Sequence, residues 1–345
     1  MSLLLAGDIG GTKTLLSLWR QGGERPELLL EERYPSAAWD DLAPMVRHFL
    51  EGPGAQAGGP VAAACFAVAG PVQGGRARLT NLPWQLDAGA LASGCGLPRV
   101  ELVNDFAVLI YGLPHLSPDQ TARVKEGSRD PLAPVLILGA GTGLGVAMGL
   151  PTSEGLQAIP SEAAHGEFAP RDQQEWELKQ WLRADLALER VSIERVVSGT
   201  GLGHVARWLL SLRHPDGDHP LSRSARLWST SGDGPAVADL PAEVAMAAAA
   251  GDRLAAAAMD LWLGAYGSVC GDLALACLSR GGVWLAGGTA AKLLDGLRSD
   301  AFLEPLLTKG RLRSALEPMA ITALVDPGVG TFSAACRAGM LLASA

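Results

Sequence analysis

Two adjacent polar residues, Asn104 and Asp105, interrupt an otherwise apolar passage: residues 100–103 read as a strand and residues 106–112 as an apolar helix. A carboxylate at such a junction has two uses. It, or Asn104 beside it, can cap the helix, because short polar side chains accept hydrogen bonds from the first helical amides. It can also take a proton from a substrate hydroxyl while Asn104 holds a neighbouring one. In phosphoryl transfer the protein chiefly positions groups and neutralises charge, so a base of this kind is the one proton acceptor needed. Glu162-Ala163-Ala164-His165 sets an acid and an imidazole three residues apart. One such pair could be half of a di-metal site, but that site needs a second copy on another helix, and the sequence has none. The alternative is polyol recognition, with carboxylates accepting from paired hydroxyls and the imidazole donating or accepting. Glu194 can join that set or lie on a solvated helix face.

Glycine turns supply a second kind of chemistry. Gly7-Asp8-Ile9-Gly10-Gly11-Thr12-Lys13-Thr14 offers uncovered backbone amides, two hydroxyls and the Lys13 ammonium, a combination that can cradle phosphate oxygens. Asp8 ends an apolar strand there, either as a buried cap for the turn or as a partner for hydrated Mg²⁺ beside a triphosphate. Gly139-Ala140-Gly141-Thr142-Gly143 repeats the pattern in the other half of the chain, and Ser198-Gly199-Thr200-Gly201 precedes a helical stretch. The two glycine hairpins could close on one nucleotide from opposite sides. Gly287-Gly288, between a strand and a helix, is a further close-approach backbone or an ordinary connection. Neither hairpin has the G-x-x-x-x-G-K-[ST] spacing and no G-x-G-x-x-G occurs, so P-loop and Rossmann readings lose their main support.

The elements that must position these residues alternate. Residues 3–8 and 14–19 read as a hairpin, 42–50 as a helix, 61–68 as a buried strand and 76–80 as a short one. A second cycle runs through strands at 135–138 and 144–148, and a helix at 173–188. Another helix begins within 192–197, and one more spans 204–212. Residues 213–239 read as a loop, and 243–277 as the longest helical region, with Gly251, Gly264 and Gly271 as breaks or close-packing points. Strands at 282–286 and 321–324 and a terminal helix at 330–344 complete an α/β pattern.

Composition narrows the function classes. A chain of 345 residues with 48% hydrophobic and 19% charged residues is long enough for two packed domains. Its 28 basic and 36 acidic residues give a net charge of −8 with no basic cluster, which argues against nucleic acid as a partner. Five cysteines without a CxxC pair read as reduced, packed thiols of a cytoplasmic protein. The apolar run at 3–6 is too short for a signal peptide. Residues 131–153 carry no formal charge, but five glycines and three prolines make them a buried hairpin rather than a membrane span.

Asp8-Ile9-Gly10-Gly11-Thr12, Leu102-Val103-Asn104-Asp105-Phe106, Gly139-Ala140-Gly141-Thr142-Gly143-Leu144-Gly145 and His165-Gly166-Glu167-Phe168-Ala169-Pro170 resemble, in order and spacing, the motifs of bacterial glucokinases. Glu194-Arg195-Val196-Val197-Ser198-Gly199 and Leu285-Ala286-Gly287-Gly288 continue the likeness, which covers nearly the whole chain. That family lies in the hexokinase/actin-like ATPase superfamily. The resemblance implies an α/β, two-lobed actin-like ATPase (ribonuclease H-like) fold with an interdomain cleft, its small lobe at 1–110 plus 328–345 and its large lobe at 111–327. It implies transfer of the γ-phosphoryl of ATP to the 6-hydroxyl of glucose, with Asp105 as general base. Asn81, Asn104, Glu162, His165 and Glu194 would hold the sugar. Gly10, Gly11, Thr12, Lys13, Gly141, Thr142, Gly199, Gly287 and Gly288 would line ATP, with Mg²⁺ at Asp8 through water. A cytoplasmic homodimer is the implied assembly.

There are three departures from the pattern. Ser161 and Ala163-Ala164 stand where many relatives have glycines, which opens the choice of hexose. Lys13 stands where close relatives often have Asn and the related repressor/open-reading-frame/kinase (ROK) family commonly has Lys. The cysteine-rich zinc motif of that second family is absent, since no Cys lies near His165. The alternatives are a kinase for another hexose, such as mannose or an amino sugar, and a non-catalytic sugar or nucleotide switch. A switch would not require Asn104-Asp105 together with Glu162 and His165.

Overall fold

The structure is a computed structural model describing residues 2–23, 25–79, 82–229 and 238–343. Asn81 lies outside the described residues. By its internal contacts the chain divides into two compact units. One comprises Met1–Thr121, Ala147–Pro160 and Asp326–Ala345; the other comprises Ala122–Val146 and Ser161–Val325.

The first unit is built on a five-stranded sheet in the spatial order Glu27–Pro35, Lys13–Arg20, Leu3–Ile9, Val61–Val68, Val100–Asn104. The first three strands are antiparallel neighbours; Leu3–Ile9, Val61–Val68 and Val100–Asn104 run parallel. Parallel strands covered on both faces need apolar side chains on both, and Leu3 to Ala6 and Ala63 to Val68 are buried without alternation. Leu5, Ile9, Phe66 and Val68 pack with Met45, Val46 and Phe49 of the Leu42–Glu51 helix, whose N-terminus Asp41 caps. Phe49 is fully buried, so truncation to Ala would cost about 3–5 kcal/mol. The Val329–Ala343 helix packs across Leu3–Ile9 and Val61–Val68.

Register fixes what stands at the carboxyl ends of the parallel strands. Ile9 pairs with Val68 and Val68 with Asn104, so Asp8, Gly70 and Asp105 come to the same edge of the sheet. In open parallel sheets that edge is where ligands bind.

The second sheet has six strands in the order Gly155–Ser161, Leu144–Thr152, Val135–Ala140, Gly282–Leu285, Ile321–Leu324, Thr121–Lys125. Residues 131–153 are thus a hairpin with a buried first strand, as the sequence suggests. The 25-residue helix Arg253–Cys277 packs on the Asp300–Leu307 helix. Gly267 and Gly271 allow the approach: a Cβ at either would collide with the carbonyl of Phe302 or Leu306.

Four expectations need correction. The apolar helix expected from residue 106 starts only at Leu109, because 105–108 form a turn held by the Asn104 side chain. The helix expected at 204–212 begins at Gly199, where Ser198 caps it, so the glycines are its first turn rather than a lead-in. The helical region expected from 243 starts at Leu240; it breaks at Gly251 (φ 89°), as the sequence suggests, into Leu240–Ala249 and Arg253–Cys277, with Asp252 capping the second. Within the stretch read as a loop, Ser222–Ser229 is helical, and 230–237 lie outside the described residues. No helix among the described residues is long and apolar enough to cross a membrane.

Candidate active site

Asp105 follows the last residue of its strand, and its amide donates to the Val68 carbonyl at 2.9 Å, which continues the sheet by one bond. Asn104 fixes the turn. Its Oδ1 accepts from the amides of Phe106 (3.1 Å) and Ala107 (3.0 Å), and its Nδ2 donates to the Gly70 carbonyl (3.1 Å) and to Asp105 Oδ1 (3.0 Å). All four hydrogen-bonding positions of the amide are therefore engaged within the protein. Asn104 acts as the cap the sequence suggested, and it also aims the neighbouring carboxylate.

The Asp105 carboxylate is reachable from solvent, yet the protein around it displaces enough water to push its pKa up to about 6. Burial is the largest cause and the nearby Asp8 charge adds to it; hydrogen bonds from Phe106, its own amide and Asn104 oppose the shift. Asp8 is also raised, first by burial and then by the Glu31 charge, with the Lys13 ammonium pulling the other way. A cation beside the two carboxylates would favour the ionised form of each. No group of three or more His, Cys, Asp or Glu side chains among the described residues could hold a metal by itself. The donor set thus suits a hydrated divalent ion delivered with phosphates rather than a protein-caged one.

The Gly10-Gly11-Thr12-Lys13 turn is closed by Gly10 N–H donating to the Lys13 carbonyl (3.1 Å). Ser36 braces it from beneath: its Oγ donates to the Gly10 carbonyl (2.7 Å) and its amide to the Thr12 carbonyl (3.1 Å), and its hydroxyl also meets Thr14 Oγ1 at 3.0 Å. Ser36 and Thr14 are fully buried. With three carbonyls turned inward, the exposed Thr12 and Lys13 end of the turn can offer amides, a hydroxyl and an ammonium to an anion. Nothing in the local sequence marks Ser36 for this task, since it is separated from the turn by a whole hairpin.

In the second unit three glycine segments meet. Gly199 N–H donates to the Gly141 carbonyl (2.7 Å), Thr200 Oγ1 to the Thr142 carbonyl (2.9 Å), and Thr289 Oγ1 to the Ala140 carbonyl. A Cβ at Gly199 would lie 2.8 Å from the Gly141 oxygen, and Gly287 adopts φ 85° with the Ala140 oxygen 3.0 Å from its Cβ position. Gly141, Thr142, Gly199, Gly287 and Gly288 are therefore one cluster, with Thr142, Gly287 and Gly288 exposed. The 15-residue Gly199–Arg213 helix points its N-terminus into it; Ser198 Oγ accepts from Gly201 N–H at 2.9 Å. The positive end of the helix dipole favours a phosphate there. Thr289 was not singled out in the sequence, because a Thr after two glycines looks like any other helix start.

Glu162 and His165 are exposed and face each other, Nε2 to Oε2, at 3.5 Å. Their segment runs beside the one that carries Glu194: Ile193 N–H donates to the Gly166 carbonyl and Phe168 N–H to the Val191 carbonyl, both at 2.9 Å. Arg190 secures the His165 carbonyl at 2.7 Å. Glu194 itself turns to the glycine cluster, accepting from Leu144 N–H through Oε2 at 2.8 Å.

The glucokinase family profile matches residues 5–340. A glucokinase of Synechocystis sp. is 40% identical over 344 residues, covering 96% of each chain. One of Nostoc sp. is 38% identical over 344 residues, covering 99% of this chain and all of that one. The crystal structure of a glucokinase from an Antarctic psychrotroph superposes with a TM-score of 0.81 at 25% identity, covering 98% of this chain and 99% of the other. The mixed α/β fold is thus that of known glucokinases, and the chain belongs to the glucokinase family.

Proposed function

We propose that this protein transfers the γ-phosphoryl group of ATP to the 6-hydroxyl of glucose, with Asp105 as the general base. The observation that carries the assignment is the Asp105 carboxylate itself: aimed by Asn104, accessible, and raised to about 6, where it is ionised at neutral pH yet basic enough to accept a proton. As the sugar oxygen forms its bond to phosphorus and the bond to the leaving ADP oxygen breaks, the hydroxyl proton passes to Asp105. Glu162, His165 and Glu194 hold sugar hydroxyls in this reading. Asn104 serves the sugar mainly through Asp105, since a hydroxyl would have to share an amide already engaged. Asn81 is assigned to the sugar on resemblance alone.

Gly10, Gly11, Thr12 and Lys13 and the cluster of Gly141, Thr142, Gly199, Gly287 and Gly288 take the nucleotide. Asp8 holds Mg²⁺ through its waters; that ion supplies charge neutralisation on the phosphate oxygens. On family grounds the chain is read as an actin-like ATPase fold with a small lobe at 1–110 plus 328–345 and a large lobe at 111–327. A cytoplasmic homodimer is the assembly proposed, on family grounds.

The test is ATP-dependent phosphorylation across glucose, mannose, fructose, galactose and N-acetylglucosamine, with the product identified by NMR. Preferred turnover of glucose to the 6-phosphate supports the reading. Preference for mannose or an amino sugar would keep the phosphoryl chemistry and assign the choice of sugar to Ser161, Ala163 and Ala164. Silence on every sugar would refute the kinase assignment in favour of a binding-only switch.

A further inference from the structure

We infer that Glu194 is a positioning residue that couples sugar occupancy to the shape of the phosphate turn at 141–144, an inference that rests on the kinase reading above. Its carboxylate faces two ways. Oε2 accepts from Leu144 N–H at 2.8 Å, a charge-assisted bond to the end of the turn, while Oε1 has no hydrogen-bond partner among the described residues. One oxygen thus holds the nucleotide turn and the other remains for a sugar hydroxyl.

The turn is shaped around this carboxylate. Gly143 does not have a positive φ, so its backbone would accept any residue. Yet a Cβ there would collide with Glu194 Oε2. A Cβ at 143 would therefore displace the Glu194 carboxylate from its place beside the turn. Gly141 differs, since a Cβ there would meet nothing within 4 Å.

The backbone of Glu194 is tied to the same cluster. Ser198 Oγ donates to the Glu194 carbonyl at 2.7 Å while accepting from Gly201 N–H, and Gly199 N–H reaches back to the Gly141 carbonyl. Trp262 Nε1 donates to the Ser198 carbonyl at 2.9 Å and anchors this junction in the buried Arg253–Cys277 helix. A sugar that draws Glu194 into one position therefore sets the turn, and a phosphate that sets the turn prepares Glu194. Reciprocity follows from thermodynamic linkage.

Calorimetry on the full-length protein tests this, with glucose and a non-hydrolysable ATP analogue titrated separately and together. Glu194→Ala should weaken the analogue without any sugar present by on the order of tenfold, because the Leu144 amide loses a charged acceptor. Glu194→Gln keeps an acceptor for that amide, so analogue affinity should stay within about twofold of wild type while glucose affinity falls. Gly143→Ala, on the phosphate side, should weaken glucose binding in the absence of nucleotide by on the order of tenfold by displacing the carboxylate, whereas Gly141→Ala should not. Unchanged analogue binding in Glu194→Ala, or unchanged glucose binding in Gly143→Ala, would overturn the coupling while leaving the kinase reading intact. Wild-type protein that binds neither ligand would overturn both.

Discussion

Asn104 Nδ2 lies 3.0 Å from Asp105 Oδ1, and the same amide group holds the Gly70 carbonyl and the amides of Phe106 and Ala107. If Asp105 is the base proposed above, a residue that caps its turn and aims its carboxylate joins stability to catalysis. Asn104→Ala should therefore reduce both: about 1 kcal/mol of stability, typical of a lost cap, and roughly ten- to a hundredfold in kcat as Asp105 loses its fixed orientation. Denaturant unfolding and steady-state kinetics check the two effects. A variant with lower stability and full kcat would reduce Asn104 to a structural cap.

The raised pKa of Asp105 predicts a pH profile. The base must be ionised to accept a proton, so kcat/KM for glucose should fall about tenfold per unit below pH ~6 and level off above it. Asp8 is one cause of the shift, so Asp8→Asn should move the inflection to lower pH. Carboxyl ¹³C NMR titration of Asp105 reads that shift even where activity is weak. An inflection unmoved by the substitution would contradict the interaction between the two carboxylates.

Ser36 offers a test of the first glycine turn. Its buried hydroxyl serves the Gly10 carbonyl and Thr14 Oγ1 together, so Ser36→Ala should cost about 1–3 kcal/mol and raise KM for ATP several-fold while leaving KM for glucose near its wild-type value. Thermal unfolding and kinetics at varied ATP measure it. An unchanged KM for ATP would remove Ser36 from the support of the nucleotide turn.

Much of this was legible in the sequence where apolar runs are bounded by glycine. The strands Val61–Val68 and Ile321–Leu324 fall where the pattern puts them, because buried parallel strands are short and uniformly apolar. The Glu27–Pro35 strand was not legible: it is an edge strand with charged, mostly unburied residues, held by its pairing to Lys13–Arg20 rather than by its own hydrophobicity. The glycine clusters could be read as candidates for a phosphate site, but their braces could not be read at all. Ser36, Thr289 and the Glu194–Leu144 bond depend on residues 26, 149 and 50 positions apart in the chain, beyond the reach of any local pattern. Asn104 could be read as a cap or a ligand, and only the four hydrogen bonds show how completely its amide is committed.

Asp105→Asn tests the central claim most directly, because it separates charge from shape. The folded pKa of about 6 lies above the ordinary aspartate value of 3.8, so protonation favours the fold. That contribution is present below pH ~4 and lost as the pH rises through ~6. Neutral Asn should consequently raise the melting temperature at pH 8 by a few degrees, about 1 kcal/mol once solvent screening is allowed for, with the difference vanishing toward pH 4. The same variant should lose on the order of 10²–10⁴ in the rate of glucose 6-phosphate formation while still binding glucose and nucleotide. Near-wild-type turnover in a folded Asp105→Asn protein would contradict the assignment of Asp105 as the base.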